Sequence, residues 1–218
     1  MGLVYQKQLD GKTAFALWKI EESAEELYKQ LQLKTHEKEY LETLNNGKRN
    51  LHWLGTRALL RKMLNTDQYI DMDVDEHGKP YLKNFPQQIS LSHSFDYAAV
   101  MISEDKPVGI DIELVKEKIE RVAKKFMSTE ELGFIENENR IEHLYICWCV
   151  KEAVYKLHGK KNISFLNDIR LDPFSCCTEG TFSASLNSGD SMKIYQVAYQ
   201  KFHNYMLGYA IDGEFSHE

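Results

Sequence analysis

Two acidic residues stand inside an otherwise apolar, strand-like segment, Val108–Leu114. Because side chains alternate between the two faces of a strand, Asp111 and Glu113 share one face, and Ile110 and Ile112 share the other. Two neighbouring carboxylates form half of a binding site for a hard divalent cation such as Mg²⁺. A solvent-facing side of a half-buried strand has the same pattern, so the spacing alone leaves both interpretations open.

A third acidic residue lies in a segment with helical periodicity. Trp148, Glu152 and Lys156 follow one another at intervals of four, which places them on one face of a helix. The neighbours Leu144 and Val154 predict that this helix is largely buried. A buried carboxylate needs a nearby cation because its desolvation costs several kcal/mol. A surface Glu–Lys pair, worth about a few tenths of a kcal/mol, is the alternative.

Hydroxyl and imidazole groups are concentrated at the end of a short predicted strand, in Ser90–Ser94. Ser92 and His93 have several donors to offer a phosphate, although a merely polar strand end has the same composition. A nucleophilic Ser–His pair is disfavoured, since sequence neighbours rarely reach each other correctly and a Gly-x-Ser-x-Gly turn is missing from the sequence. Further upstream, Gly78–Pro80 reads by default as a turn.

Taken together and in this order, these segments resemble the motifs of the 4′-phosphopantetheinyl transferases. The chain length of 218 residues and the Gly-Lys-Pro turn are similar to those of the two-domain, surfactin-synthetase-activating type. The resemblance extends over residues 78–156. It implies an enzyme that transfers the 4′-phosphopantetheine arm of coenzyme A to a serine of an apo acyl or peptidyl carrier protein. The second product would be adenosine 3′,5′-bisphosphate.

The resemblance also implies roles for the acidic residues and for Lys156. Asp111, Glu113 and Glu152 would hold Mg²⁺ against the pyrophosphate of coenzyme A. Glu152, Asp111 and Lys156 would form the catalytic group. In it Glu152 would be a metal ligand, a base that accepts the proton of the carrier serine directly or through a metal-bound water, or both. Lys156 would reach a pyrophosphate oxygen.

The same resemblance implies a set of residues that bind coenzyme A. Ser92 and His93 would contact its phosphates, and Gly78–Pro80 would line its adenine end. Arg49 would approach the 3′-phosphate. The complete expected set is Arg49, Gly78, Lys79, Pro80, Ser92, His93, Asp111 and Lys156. Two further motif residues, Lys151 and Trp148, are expected to support the helix rather than touch substrate.

A basic segment is a candidate for the carrier-protein site. Arg121, Lys124 and Lys125 supply three cations next to Phe126 and Met127, which are expected to be exposed there. Carrier proteins of this family are usually acidic around their serine, so charge complementarity favours this segment. The run that follows, Ser-Thr-Glu-Glu at 128–131, predicts a helix N-terminus with a capping box.

Two other functions compete with transfer. A non-catalytic protein of the same fold would bind coenzyme A or a carrier protein, but it has no need of Asp111, Glu152 and Lys156 together. A Mg²⁺-dependent pyrophosphate hydrolase would need a motif that activates water, and we find none in the sequence.

The elements that position these residues predict an α+β fold. Strands are expected within 3–20, 88–91, 97–103, 108–114, 192–200 and 205–211, and helices within 22–33, 35–44, 50–64, 119–135 and 140–157. The order of elements recurs in two halves, with a boundary near the polar segment 104–107. We therefore expect two similar α/β halves, residues 1–105 and 106–218, with the active site between them. A single chain then completes the site, which favours a monomer.

Composition limits the classes of partner. The net charge of −6 argues against broad nucleic-acid binding. A membrane partner is not expected, because no run approaches the roughly 18 apolar residues of a membrane span. The N-terminus does not resemble a signal peptide, and the spacing of the four cysteines matches no zinc motif. A cytoplasmic protein with reduced thiols is expected.

Overall fold

A computed structural model of the chain describes residues 2–44, 47–189, 191–213 and 215. The strands are β1 (Leu3–Gln8), β2 (Thr13–Lys19), β3 (Met72–Val74), β4 (Pro80–Leu82), β5 (Gln88–Ser94), β6 (Tyr97–Ser103), β7 (Val108–Leu114), β8 (Ile169–Leu171), β9 (Glu179–Asn187), β10 (Met192–Phe202) and β11 (Tyr205–Ile211). The helices are α1 (Ala24–Lys29), α2 (Thr35–Thr43), α3 (Lys48–Met63), α4 (Thr129–Gly133) and α5 (Arg140–His158). Short 3-10 helices cover Glu117–Arg121 and Ala123–Lys125.

Two antiparallel sheets form the framework. The first has the order β1-β2-β6-β5, and the second has the order β7-β11-β10-β9-β8. Strands β3 and β4 form a separate hairpin. All strands before residue 104 lie outside the second sheet, and all strands after residue 107 belong to it. The division of the chain into two domains at this point stays a prediction.

One strand–helix–strand–strand motif occurs in both sheets. In the first sheet it consists of β2, α3, β5 and β6, and in the second it consists of β7, α5, β10 and β11. In each case the last strand lies between the other two and is antiparallel to both. Helix α3 packs on the first sheet and α5 on the second. The recurrence of element order expected from the sequence is therefore present in the topology.

The two sheets face each other across a shared apolar core. Strand β2 contributes Phe15 and Leu17, while β7 contributes Ile110 and Ile112, and all four side chains are fully buried. Because alternate residues point to opposite faces, Asp111 and Glu113 must face away from this core. They face the side on which α5 packs against β7.

The mixed α+β class is confirmed, and so are most of the predicted elements. Strands β6, β7 and β11 have the predicted bounds, and α2, α3 and α5 begin and end within two residues of them. The helical segment expected within 119–135 is instead divided into 3-10 turns and the short helix α4, whose capping box at Ser128 and Glu131 is present as expected. Strands β3, β4, β8 and β9 were not predicted. None of the helices in the described ranges combines the length and hydropathy needed to cross a membrane.

Candidate active site

The edges of the two sheets meet along β5 and β7. On β5, the alternating residues Ser90, Ser92 and Ser94 point toward β7, and their hydroxyls accept hydrogen bonds from backbone N–H groups of that strand. The three N···O distances are 3.0 Å from Ile110, 3.3 Å from Ile112 and 3.2 Å from Leu114. We call this row the serine seam. It satisfies the N–H groups on the outer edge of β7, which is an edge strand of its sheet.

Two of these hydroxyls also hold carboxylates of β7. Ser92 donates to Oδ1 of Asp111 at 2.7 Å, and Ser94 donates to Oε2 of Glu113 at 2.8 Å. Asp111 is only 5% exposed. The acidic face of β7 is therefore an inner surface of the protein and not the solvent-facing strand edge that the sequence had left open.

Helix α5 lies unusually close to β7 because glycine occupies the point of contact. A Cβ atom on Gly109 would be 1.9 Å from the carbonyl oxygen of Ala153, and one on Gly208 would be 2.5 Å from backbone of Cys149. Only glycine permits such an approach of helix backbone to sheet. Ala153 follows Glu152 directly, so this contact brings the part of α5 that contains Glu152 close to β7.

Lys156 on α5 connects these two parts. Its Nζ donates to Oδ1 of Asp111 at 2.7 Å and to the carbonyl oxygen of Ile110 at 3.1 Å. The other oxygen of Asp111, Oδ2, is buried and has no hydrogen-bond partner among the described residues. The neighbouring Cys149 thiol donates to the carbonyl of Met206 instead. A buried carboxylate oxygen without a partner is costly unless it meets a ligand.

The carboxyl groups on either side of Asp111 are harder to ionise than usual. Desolvation, then the charge of Asp111, raises the pKa of Glu152 to about 7, against the opposing effect of Lys156. Desolvation likewise raises the pKa of Glu113, although the hydrogen bond from Ser94 lowers it. Three carboxylates thus influence one another in a space of low polarity. A bound cation would relieve both the desolvation and the repulsion.

The donor set fits Mg²⁺, although not as a closed cage. Within the part of the chain that the structure describes, no three His, Cys, Asp or Glu side chains are arranged as a ready metal site. Mg²⁺ does not need one, because it usually takes one or two carboxylates and completes its shell with water and substrate phosphates. The unpartnered Oδ2 of Asp111 is the best-placed anchor, with Glu152 and Glu113 as further oxygen donors.

A cleft of about 900 Å³ opens between α2, α3, β5 and the β3–β4 hairpin. Arg49, Gly78, Pro80 and His93 all line it, so four of the residues expected to bind coenzyme A share one space. A smaller cavity of about 250 Å³ is lined by Gly78 and Pro80 again, and also by Lys79 and Lys156. The shared lining residues show that the cleft and the smaller cavity are neighbours, and neither of them is lined by Asp111, Glu113 or Glu152.

One face of α3 supplies the cleft with groups that the sequence interpretation missed. The guanidinium of Arg57 lies 3.3 Å from the ring centroid of Trp53, and its Nε is 3.8 Å from the carboxylate of Glu37. Desolvation lowers the pKa of Arg57 to about 9. Arg49, Trp53 and Arg57 recur at intervals of four, and that spacing was the signal available.

His93 stacks on a second histidine at the cleft. The ring centroids of His93 and His52 are 4.2 Å apart, with an angle of 19° between the planes. Nε2 of His52 lies 2.6 Å from the carbonyl oxygen of Phe95, which fixes its ring. Desolvation, followed by the charges of His52 and Lys156, lowers the pKa of His93 to about 4. His93 is therefore a neutral group at neutral pH.

Two motif lysines make contacts inside the protein. Nζ of Lys79 donates to the carbonyl oxygen of Leu157 at 2.7 Å, at the C-terminal end of α5. Lys151 is fully buried, where its Nζ contacts the carboxylate of Glu131 at 2.8 Å. It also donates to the carbonyl oxygens of Phe126, Phe165 and Ile169. Lys151 thus points away from Glu152 and holds structure together, as predicted.

The basic segment differs from the expectation in one respect. Lys124 and Lys125 are exposed, but Phe126 and Met127 are only 1% and 2% exposed, so the prediction that they would be surface groups is wrong. The short 3-10 helices turn the apolar residues inward. Phe126 packs edge-to-face on Trp148 with ring centroids 5.1 Å apart, and this contact also confirms that Trp148 packs the helix.

The chain is similar to known proteins over a range that includes β7 and α5. Residues 107–210, which span β7 to β11, match the family model described as the 4′-phosphopantetheinyl transferase superfamily. A 4′-phosphopantetheinyl transferase of Bacillus subtilis is 33% identical over 95 residues, which are 42% of this chain and 42% of that protein.

Two further relatives align over longer stretches. Sfp of Bacillus subtilis strain 168 is 27% identical over 154 residues, covering 64% of this chain and 66% of Sfp. AcpT of Escherichia coli K12 is 29% identical over 119 residues, covering 52% of this chain and 60% of AcpT. Both carry the description 4′-phosphopantetheinyl transferase. The chain thus spans less than half of the first relative's length and about two thirds of Sfp.

Proposed function

We propose that this chain, which belongs to the 4′-phosphopantetheinyl transferase superfamily through residues 107–210, moves the 4′-phosphopantetheine arm of coenzyme A to a serine of an apo carrier protein. The second product is adenosine 3′,5′-bisphosphate. One observation carries the proposal. The cleft and its adjoining cavity lead to Lys156, which binds the same Asp111 carboxylate that leaves Oδ2 unpartnered.

Coenzyme A is proposed to lie along this path. The adenine end occupies the large cleft against Gly78 and Pro80, with Arg49 close to the 3′-phosphate. His93 lies at the same cleft and offers a ring nitrogen to a phosphate. The pyrophosphate then reaches Lys156 and the carboxylates of β7 and α5. The hydroxyl of Ser92 already donates to Asp111 and accepts from Ile112, so its proposed contribution is to orient Asp111.

The chemistry proposed for the site is a displacement at phosphorus. The carrier serine oxygen forms a bond to the phosphorus that bears the pantetheine arm, and the bond from this phosphorus to the bisphosphate oxygen breaks. Glu152 accepts the serine proton. Lys156 stabilises negative charge on the pyrophosphate. Asp111, Glu152 and Glu113 would hold Mg²⁺, which would supply positive charge next to the departing bisphosphate.

Lys79 and the oligomeric state complete the proposal. Because Nζ of Lys79 caps α5, we assign its side chain to positioning that helix, while its backbone lines the cavity. The cavity is lined by residues on both sides of segment 104–107, which supports our proposal that a single chain forms the site and acts as a monomer. The four cysteines are unpaired, which fits a reducing cytoplasm.

The decisive experiment measures the mass of a carrier protein. The chain is incubated with apo carrier protein, coenzyme A and Mg²⁺, and the carrier is then examined by mass spectrometry. With wild-type protein we expect the carrier to gain one phosphopantetheine group. With Glu152→Gln we expect the rate of this gain to fall by about 100-fold or more. Tight coenzyme A binding without mass gain on several carriers would instead indicate a non-catalytic binding protein.

The carrier is proposed to dock at the exposed cations of the basic segment. Reversing the charges of Lys124 and Lys125 should raise the KM for an acidic carrier about 3- to 10-fold, since exposed ion pairs contribute about 0.2–1 kcal/mol each. The KM for coenzyme A should not change. The control reverses Lys29 on α1 and Lys62 on α3, two exposed lysines, and so changes the net charge by the same amount. Equal carrier KM values for the control and the double variant would refute this docking site.

A further inference from the structure

The three hydroxyls of the serine seam all accept a backbone hydrogen bond, but they differ in whether they also donate to a carboxylate. Ser90, Ser92 and Ser94 each accept one backbone N–H of β7. Of these three hydroxyls, those of Ser92 and Ser94 also donate to a carboxylate, whereas that of Ser90 has no acidic partner among the described residues. The chain therefore contains its own comparison between a hydroxyl that only joins two strands and one that also holds an acidic side chain.

Ser94 fixes Glu113 in one orientation. Its hydroxyl donates to Oε2 at 2.8 Å while it accepts the N–H of Leu114 at 3.2 Å. Ser94 is only 8% exposed, so water competes poorly for either bond. With Oε2 occupied, Oε1 is the oxygen that remains for a ligand. A glutamate has three side-chain torsions, and restraining them in advance lowers the entropy lost on binding.

We propose that Ser94 is a positioning residue, which aims Glu113 at the cation site that the proposed function requires. The Ser94 hydroxyl also accepts a backbone N–H of β7, so the contact between the two sheets and the orientation of Glu113 depend on the same side chain. Hydrogen-bond partners of this kind, which orient a metal ligand without touching the metal, typically contribute about 10- to 100-fold to metal affinity. This inference rests on the proposed function for the identity of the ligand.

The test compares Ser94→Ala with Ser90→Ala. Both variants lose one backbone hydrogen bond of the serine seam, and Ser94→Ala also loses the bond to Glu113, so both should lose thermal stability and Ser94→Ala slightly more. Mn²⁺ serves as the probe, because it takes the same oxygen ligands as Mg²⁺ and free Mn²⁺ is measured directly by electron paramagnetic resonance. We expect the dissociation constant for Mn²⁺ to rise about tenfold or more in Ser94→Ala and less than twofold in Ser90→Ala.

The outcomes separate this inference from the proposed function. Equal Mn²⁺ affinities in the two variants would overturn the role of Ser94, even if wild-type protein modifies a carrier. A selective loss in Ser94→Ala would support the role, even if no carrier gains mass. An absence of Mn²⁺ binding by wild-type protein would refute the inference, and the carrier assay would then decide the function independently.

Discussion

Glu152 is a carboxyl group whose environment disfavours its charged form. Burial and the nearby charge of Asp111 raise its pKa from an ordinary value of 4.5 to about 7. Between these values the folded protein holds a proton that the unfolded chain has released. In metal-free buffer, the free energy of unfolding must therefore fall as pH rises from about 4.5 to about 7. The loss is on the order of 1–3 kcal/mol and is complete above pH 7.

The measurement is urea unfolding at several pH values in the presence of a chelator. Glu152→Gln has no proton to lose, so wild-type protein should become steadily less stable relative to the variant as the pH rises across this window. Adding Mg²⁺ should restore wild-type stability above pH 7, because the cation binds the charged carboxylate. Parallel pH profiles for wild type and Glu152→Gln would show that Glu152 titrates normally.

At the scale of elements, the contact between α5 and β7 determines the geometry of the site. Gly109→Ala should destabilise the protein by about 1–3 kcal/mol, because the added Cβ would lie 1.9 Å from the carbonyl oxygen of Ala153 and α5 must shift. The shift also moves Glu152 and Lys156 relative to Asp111, so we expect transfer to fall about 100-fold or more. Thermal unfolding and the carrier assay measure the two effects.

The control is a glycine with open space around it. A Cβ on Gly133, at the end of α4, meets no atom within 4 Å. Gly133→Ala should change the free energy of unfolding by less than about 1 kcal/mol and leave transfer unchanged. If Gly109→Ala were equally harmless, the close approach of α5 would not determine the active-site geometry.

The elements that the sequence predicted well are those with a strong apolar period. Strand β7 was found to the residue because its isoleucines alternate with acidic residues and its first half is buried. The β3–β4 hairpin was missed because its strands have three residues each and are mostly exposed. Strand β9 was missed because serine, threonine and glycine dilute its alternation.

The candidate site also contains residues that were identified from the sequence and contacts that were not. Asp111, Glu152 and Lys156 were proposed as site residues because their order and spacing resemble the motifs of a known family, and the strand and helix periods alone left their roles open. The stack of His52 on His93 was not predicted, since its partners are far apart in sequence and meet only through packing of α3 on β5. The inward turn of Phe126 also depends on tertiary packing, because the 3-10 helix before it, Ala123–Lys125, is too short to show an apolar period in the sequence.

At the scale of the whole molecule, the two copies of the strand–helix–strand–strand motif share one core. Phe15 from the first sheet packs against Tyr209 from the second, with ring centroids 4.8 Å apart, and both side chains are buried. The serine seam adds a second connection along the strand edges. Separating the sheets would expose apolar area on both, at about 25 cal/mol for each Å². Neither sheet should therefore unfold alone.

Tryptophan fluorescence can test this cooperativity, because the three tryptophans report on different parts of the molecule. Trp18 and Trp53 lie with the first sheet, and Trp148 lies on α5 over the second. In Trp148→Phe the fluorescence reports only on the first sheet and its helices, while far-ultraviolet circular dichroism reports on the whole chain. We expect both signals to give the same urea midpoint, because the shared core makes unfolding a single transition. A fluorescence midpoint clearly separated from that of circular dichroism would mean that the two motifs unfold independently.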